Sequence, residues 1–163
     1  MEYIEELGAR AKSASAFLAE CRSPIKDRAL AEIAAALRGN AADIIAANKG
    51  KIVMVNFFAA FCSPCKREIP GLKRIRADLS PDDFFIIGIA VDNDLQEMET
   101  FVENARFNYP VYYGGEEVGF AFRVSSIPHN IIYDRNGRIV VNEAGFVPEK
   151  ALRDFLNGLL ERK

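Results

Sequence analysis

The spacing of apolar residues changes near residue 50 of this chain. Before that point, alanine-rich stretches carry apolar side chains three and four residues apart, which is typical of one face of an amphipathic helix. After that point, short unbroken apolar runs alternate with helix-periodic segments. The pattern predicts an N-terminal segment of two to three helices over residues 1–49 and an α/β domain over residues 50–163. Asn48-Lys49-Gly50 combines helix-ending residues and is the predicted joint.

The second part of the chain predicts a regular alternation of strands and helices. Asn136-Gly137, between two apolar runs, is a strong signal for a β-hairpin. Together with the order of the other elements, it indicates a mixed sheet with helices on both faces. The predicted elements are a strand Ile52–Phe58, a helix Cys62–Leu79, a strand Phe84–Val91, a helix from about Asp94, an extended piece Tyr109–Tyr113, a short helix Glu116–Phe122, strands His129–Asp134 and Arg138–Glu143, and a last helix from Pro148.

Composition and charge narrow the classes of function. The chain has 163 residues, half of them apolar, which suits one domain with an extension. A net charge of -2 provides no basic footprint for nucleic acid. No run approaches the roughly 20 apolar residues that span a bilayer. Charged residues such as Glu2, Glu5 and Glu6 interrupt any apolar core of a secretory signal, so we expect a cytoplasmic protein.

Two cysteines, Cys62 and Cys65, lie where the first predicted strand turns into a helix. A helix start offers unpaired N–H groups and a partial positive charge, which favour a thiolate over a thiol. We therefore expect Cys62 to be the exposed, attacking thiol and Cys65, one turn later, to resolve the mixed disulfide. A structural zinc site needs four nitrogen or sulfur ligands, and only His129 and Cys21 remain as candidates. The pair therefore favours redox chemistry, which needs no bound cofactor, over a structural metal half-site.

A longer stretch, Val-Asn-Phe-Phe-Ala-Ala-Phe-Cys-Ser-Pro-Cys-Lys-Arg-Glu-Ile-Pro from Val55 to Pro70, resembles the thioredoxin superfamily. Within it, the TlpA/ResA-like thiol–disulfide oxidoreductases are the most similar group. The Val124–Pro128 loop resembles the family's cis-proline loop, and Ile132–Ile139 resembles its hairpin. The resemblance covers about residues 50–163. It implies a thioredoxin-like three-layer α/β fold with a central mixed sheet, here preceded by the N-terminal α-helical segment.

The resemblance also implies roles for individual residues. Cys62 becomes the attacking thiol and Cys65 the resolving thiol, with Pro128 as a cis-proline that faces them. The Ile127 backbone would then pair with a substrate chain in the manner of a strand. Glu68 matches an acidic residue that ResA-like proteins keep near the thiols. The residues expected to contact substrate are Phe61, Ser63, Pro64, Ile127 and His129.

The sequence departs from the family pattern at several of these places. Phe58 and Phe61 stand where family members usually have tryptophan. Asn56 stands where thioredoxin has a buried aspartate, so Glu68 or water must assist the resolving thiol. His129 follows the proline where threonine is common. It either tunes the attacking thiol or contacts substrate, or is a loop residue without a role.

Residues 1–49 have a resemblance of their own. Met1–Lys12, Ala34–Leu37 and Ala41–Asn48 resemble the N-terminal helices of γ-glutamyl phosphate reductase. None of the catalytic or cofactor-binding regions of that enzyme is present in this sequence. The abrupt change at the joint indicates a gene fusion or an engineered chimera. Self-association through residues 1–49, or docking of this segment on a partner, is the alternative use of these helices.

The sequence therefore predicts a thiol–disulfide oxidoreductase that reduces or exchanges disulfides in protein substrates and draws electrons from a dithiol donor. One alternative is a helix-mediated interaction or redox-sensor module built on residues 1–49. A peroxiredoxin-like peroxidase is less favoured, since no Thr-x-x-Cys pattern precedes the helix. The family resemblance would also allow an extracytoplasmic origin.

Overall fold

The structure, a computed structural model, describes residues 48–92 and 94–161. The predictions for the helices, self-association and Cys21 of the N-terminal segment lie outside these residues. The described part contains five strands and four helices: β1 Ile52–Phe58, α1 Ser63–Asp78, β2 Phe84–Ala90, α2 Leu95–Ala105, β3 Val111–Tyr113, α3 Gly115–Ala121, β4 His129–Tyr133, β5 Ile139–Ala144 and α4 Glu149–Leu160.

The strands form one mixed sheet in the order β3-β2-β1-β4-β5. β1, β2 and β3 run parallel to one another, whereas β4 is antiparallel to both β1 and β5. Helical crossovers connect the parallel strands, and the predicted hairpin connects β4 to β5, as each type of pairing requires. This arrangement confirms the predicted mixed sheet.

Alternating side chains of the strands point to opposite faces of the sheet. On one face, Ile52 and Met54 of β1 pack with Leu72 of α1 and Leu156 of α4 in the larger core cluster. The helix α2 lies on the same face, where Met98 joins a second cluster with the cysteines. On the other face, α3 packs near Ile89, since an added Cβ at Gly114 would meet both Ile89 and Val118. The sheet is therefore the middle of three layers.

The observed ends of β1 are those predicted, and the ends of the other elements differ from prediction by at most two residues. The ends of α1 show why. Cys62 has extended backbone angles (φ -80°, ψ 102°) and caps α1 instead of belonging to it. Leu79 is extended as well (φ -87°, ψ 142°) and caps the other end. The predicted helix Cys62–Leu79 thus contains both capping residues, which belong to the helix only by half.

The topology brings three chain segments to one edge of the sheet. The carboxyl ends of β1 and β2 are adjacent, because Phe58 pairs with Ala90. The start of β4 lies beside the end of β1, where Phe57 pairs with His129. Helix α1 begins from this same edge, so the cysteine motif meets the Ile127–Pro128 loop there. No helix of the described part is long and apolar enough to cross a membrane.

Candidate active site

The two cysteines are joined by a disulfide at the start of α1, with their Cα atoms 5.3 Å apart. The Cys65 backbone N–H donates a hydrogen bond to the Cys62 Sγ atom over 3.2 Å. Cys62 is therefore the N-cap of α1, and its sulfur occupies the place where a helix start stabilises negative charge. Both residues are largely buried in this oxidised state, with 6% of Cys62 and 1% of Cys65 exposed. Cys62 is the more accessible of the two, but the prediction that it is exposed is wrong for the disulfide-bonded form, because the sulfur packs among apolar neighbours.

Residues next to the disulfide differ sharply in exposure. Ser63 is exposed and Pro64 is half-buried in the first turn of α1. Phe61, directly before Cys62, is 66% exposed, so it offers an aromatic side chain for contact at the surface. The predicted substrate contacts Phe61, Ser63 and Pro64 thus lie at the surface beside the more accessible cysteine.

Glu68, one turn after Cys65, is only 3% exposed and accepts three hydrogen bonds. Its Oε1 atom accepts from the Asn130 side-chain amide over 3.1 Å and from the Val147 N–H over 3.0 Å. Its Oε2 atom accepts from the Asn56 amide over 3.1 Å. Asn56 also donates to the Asn130 Oδ1 atom over 2.7 Å. Glu68 therefore links α1 to β1, to β4 and to the loop after β5.

Burial raises the pKa of Glu68 above its ordinary value of 4.5, and the three hydrogen bonds oppose that shift. The Asn56 Oδ1 atom is buried and has no hydrogen-bond partner within the described ranges. The hydrogen bonds from Asn56, Asn130 and Val147 are all donated to Glu68, so its partners match an ionised carboxylate, whereas burial favours the protonated form.

The cis-proline loop lies against the cysteine motif. The Ile127–Pro128 peptide bond is cis, as the resemblance predicts. Ile127 is half-buried and packs against the cluster that contains Cys62 and Cys65. The Pro128 carbonyl accepts a hydrogen bond of 2.7 Å from the Gly145 N–H, which ties this loop to the end of β5.

His129 lies on the face of the sheet opposite Glu68. Its strand neighbour Asn130 points toward Glu68, so the side chain of His129 points the other way. There it is 6% exposed, meets the ring of Phe57 edge-on at 6.1 Å, and hydrogen-bonds to Asn142 Oδ1 over 2.7 Å. The structure places His129 away from the network around Glu68, and its predicted contact with substrate stays a prediction.

Two residues of the site were not predicted from the sequence. Asp92, just beyond β2, is 1% exposed, and its two carboxylate oxygens lie 2.8 and 3.0 Å from the Ala60 N–H, which donates to them. Phe146, in the loop after β5, is 43% exposed. The Arg67 guanidinium lies over the Phe146 ring, 5.4 Å from the ring centroid. Asp92 follows an apolar strand and could have been noticed on that ground. No feature of the neighbouring sequence indicates a role for Phe146.

The profile of the AhpC/TSA family matches residues 27–142, which is more than half of the chain. The chain belongs to the AhpC/TSA family. The match begins ahead of the predicted joint at residues 48–50, so the family likeness extends into the predicted N-terminal segment. The domain boundary and the resemblance of residues 1–49 to γ-glutamyl phosphate reductase stay predictions.

Curated relatives of this AhpC/TSA family member include two proteins named thiol-disulfide oxidoreductase ResA. The protein of Bacillus subtilis (strain 168) is 26% identical over 110 residues, which cover 67% of this chain and 62% of the relative. That of Halalkalibacterium halodurans is 25% identical over 109 residues, covering 66% of this chain and 62% of the relative. The chain thus spans about three fifths of the length of these relatives.

A solved structure is also similar to this chain. The crystal structure of a thiol:disulfide interchange protein, a thioredoxin family protein from Chlorobium tepidum TLS, is 27% identical. Its TM-score is 0.64, and the match covers 71% of this chain and 84% of that one. Together with the family match, this likeness confirms the predicted thioredoxin-like fold and the resemblance to ResA-like oxidoreductases.

Proposed function

We propose that this protein is a thiol–disulfide oxidoreductase that reduces or exchanges disulfides in protein substrates. The observation that carries the proposal is the disulfide between Cys62 and Cys65 at the start of α1, with the Cys65 N–H directed at the Cys62 sulfur. A thiolate at this position is stabilised by the helix and is ready to attack a disulfide. The names of the ResA relatives agree with this chemistry.

The reaction begins from the reduced pair. The Cys62 thiolate attacks one sulfur of the substrate disulfide, the substrate S–S bond breaks, and the second substrate sulfur leaves as a thiolate. Cys65 then loses its proton and attacks the Cys62 sulfur, so the mixed disulfide breaks and the second substrate thiol is released. Two electrons pass from the cysteine pair to the substrate. A dithiol donor returns two electrons and restores the reduced pair.

In this proposal Glu68 accepts the proton of Cys65. Both residues are buried and lie one turn apart on the same face of α1. Burial raises the pKa of Glu68, so its carboxylate binds a proton more readily and suits the role of proton acceptor for a thiol. Glu68 then passes the proton to the leaving substrate thiolate or to solvent.

A substrate chain would dock on the surface around Cys62. Phe61 and Phe146 are exposed aromatic residues that can contact its side chains. We propose that its backbone pairs with Ile127 beside the cis-proline, and that Ser63 and Pro64 contact it from the first turn of α1.

The compartment is a separate proposal. A cytoplasmic location is proposed because a reducing glutathione pool there suits a reductase role. Cell fractionation followed by thiol labelling of the Cys62–Cys65 pair would test this. An oxidised pair in an extracytoplasmic fraction would contradict it and support the extracytoplasmic alternative.

Reduction of insulin disulfides by the full chain, with dithiothreitol as donor, tests the proposed activity. The protein should accelerate insulin precipitation, and Cys62→Ser should return the rate to that of dithiothreitol alone. Cys21→Ser is the matched control, because it removes a thiol outside the motif, and it should keep the activity.

Two outcomes would contradict this proposal. In the first, the Cys62→Ser variant reduces insulin as fast as the unaltered chain does. In the second, hydrogen peroxide is consumed faster than insulin is reduced, with the same donor, which would favour the peroxidase alternative.

A further inference from the structure

We propose that Asp92 is a positioning residue for the attacking thiol: it holds the Ala59–Ala60 peptide group, whose carbonyl oxygen accepts the Cys62 N–H. This inference rests on the proposed function of Cys62. It starts from a buried carboxylate that the reaction described above does not use.

The peptide group between Ala59 and Ala60 is held at both ends. Its N–H donates to the Asp92 carboxylate over 2.8 and 3.0 Å. Its carbonyl oxygen, on Ala59, accepts the Cys62 N–H over 3.1 Å. Only this one peptide group therefore separates the Asp92 carboxylate from the Cys62 backbone.

A charged acceptor strengthens this series of hydrogen bonds from Cys62 through the peptide group to Asp92. Hydrogen bonds to an ionised group are shorter and stronger than those between neutral groups. Polarisation of the peptide by the carboxylate also makes the Ala59 oxygen a better acceptor for the Cys62 N–H. Cys62 must keep its place as the N-cap of α1, because there its sulfur meets the Cys65 N–H.

Asp92 itself is firmly placed. Its backbone carbonyl accepts the Tyr113 hydroxyl over 2.8 Å. The preceding Val91 N–H donates to the Phe58 carbonyl over 2.9 Å, which joins this segment to the end of β1. The residue is 1% exposed, so water competes little for the carboxylate. Ala60, on the other side of the bond, has only 1% of its surface exposed as well.

The charge and the hydrogen bond of Asp92 act in opposite directions on Cys62. A nearby negative charge disfavours a thiolate, whereas correct placement at the helix start favours it. Asp92→Asn removes the charge but keeps an oxygen that accepts the Ala60 N–H, whereas Asp92→Ala removes both. The two variants therefore separate positioning from charge.

The test is the pH profile of iodoacetamide labelling at Cys62 in the reduced full chain, followed by peptide mass mapping so that Cys21 does not interfere. At neutral pH, Asp92→Ala should label about fivefold more slowly, the equivalent of one typical hydrogen bond. Asp92→Asn should label at least as fast as the unaltered chain. Asp94→Asn is the matched control, because asparagine caps α2 as well as aspartate does, and its profile should not change.

Three results would overturn the inference. Equal profiles for the alanine variant and the unaltered chain exclude a positioning role, and faster labelling in both variants assigns the effect to charge alone. Should the alanine variant not fold, the Ala60 amide of the unaltered protein gives a further test by NMR. It should follow the titration of a carboxylate, and a pH-independent shift overturns the inference. Loss of insulin reduction in the unaltered chain would refute the proposed function alone, since the labelling profile needs no substrate.

Discussion

Two buried carboxylates, Glu68 and Asp92, hold parts of the chain close in sequence to the cysteine pair, and they differ in what they hold. Glu68 accepts two rotatable side-chain amides and one backbone N–H. Asp92 accepts a single backbone N–H with both oxygens. Burial is the main cause that raises the pKa of each. Glu68 also lies one turn after Cys65 on the buried side of α1, so it suits proton transfer. The fixed partner of Asp92 suits a structural anchor.

The largest expected difference between them is in stability. Glu68→Ala leaves the buried amides of Asn56 and Asn130 and the Val147 N–H short of an acceptor, so it should cost about 3 kcal/mol of unfolding free energy. Asp92→Ala leaves one N–H without an acceptor and should cost about 1.5 kcal/mol. Urea unfolding of both variants measures the two values. If Asp92→Ala lowers the unfolding free energy as much as Glu68→Ala does, or more, the proposed difference between the two carboxylates is wrong.

A second difference should appear in the kinetics with Ellman's reagent, studied in a Cys21→Ser background. Attack by Cys62 releases the first thionitrobenzoate, and attack by Cys65 on the mixed disulfide releases the second. Glu68→Gln should slow the second release about tenfold and leave the first unchanged, because Glu68 serves Cys65.

Asp92→Ala provides the opposite case in this assay. It should slow the first release, since Asp92 positions Cys62. A slower first release in Glu68→Gln, or a selectively slower second release in Asp92→Ala, would contradict the assignment of one carboxylate to each thiol.

A third, smaller effect concerns pH and stability. Because the pKa of Glu68 is raised in the folded protein, the unfolded chain loses this proton first as the pH rises. The contribution of Glu68 is therefore full below its ordinary pKa of 4.5 and is lost as the pH rises through the folded value. Relative to Glu68→Gln, the unaltered protein should lose stability over this window. Thermal unfolding of both proteins from about pH 4 to pH 8 measures this, and a constant difference would argue against a raised pKa.

The smallest predicted effect is the coupling between the two carboxylates. They share no hydrogen-bond partner among the described residues. The stability changes of Glu68→Gln and Asp92→Asn should therefore add to within about 0.5 kcal/mol in the double variant. A larger coupling in urea unfolding would show that the two groups form one network.

The sequence was sufficient for the order of elements and for the cysteine motif. Unbroken apolar runs marked β1 and β2, Asn136-Gly137 marked the hairpin, and the two cysteines fell at the start of α1. These features depend on neighbours in the chain, so local pattern and turn chemistry reveal them. Glu68 was singled out by the family resemblance alone, since its place in the helix pattern also fits a surface carboxylate.

The partners of these residues could not be predicted in the same way. Asp92 binds an N–H located 32 positions earlier, and a backbone N–H has no signature in the sequence. Asn130 meets Asn56 only through the register of β4 on β1. That register also decides which face His129 takes, because a shift by one residue would exchange it with Asn130. Pairing between distant segments was the missing information.

The most direct test of the account is to trap the mixed disulfide with the Cys65→Ser variant. Without the resolving thiol, nothing in the motif can break the mixed disulfide between Cys62 and the substrate. A protein disulfide substrate should therefore remain attached. Peptide mass mapping should then find the substrate cysteine bonded to Cys62. The absence of any adduct, or an adduct at Cys21 with Cys62 unmodified, would contradict the claim that Cys62 is the attacking thiol.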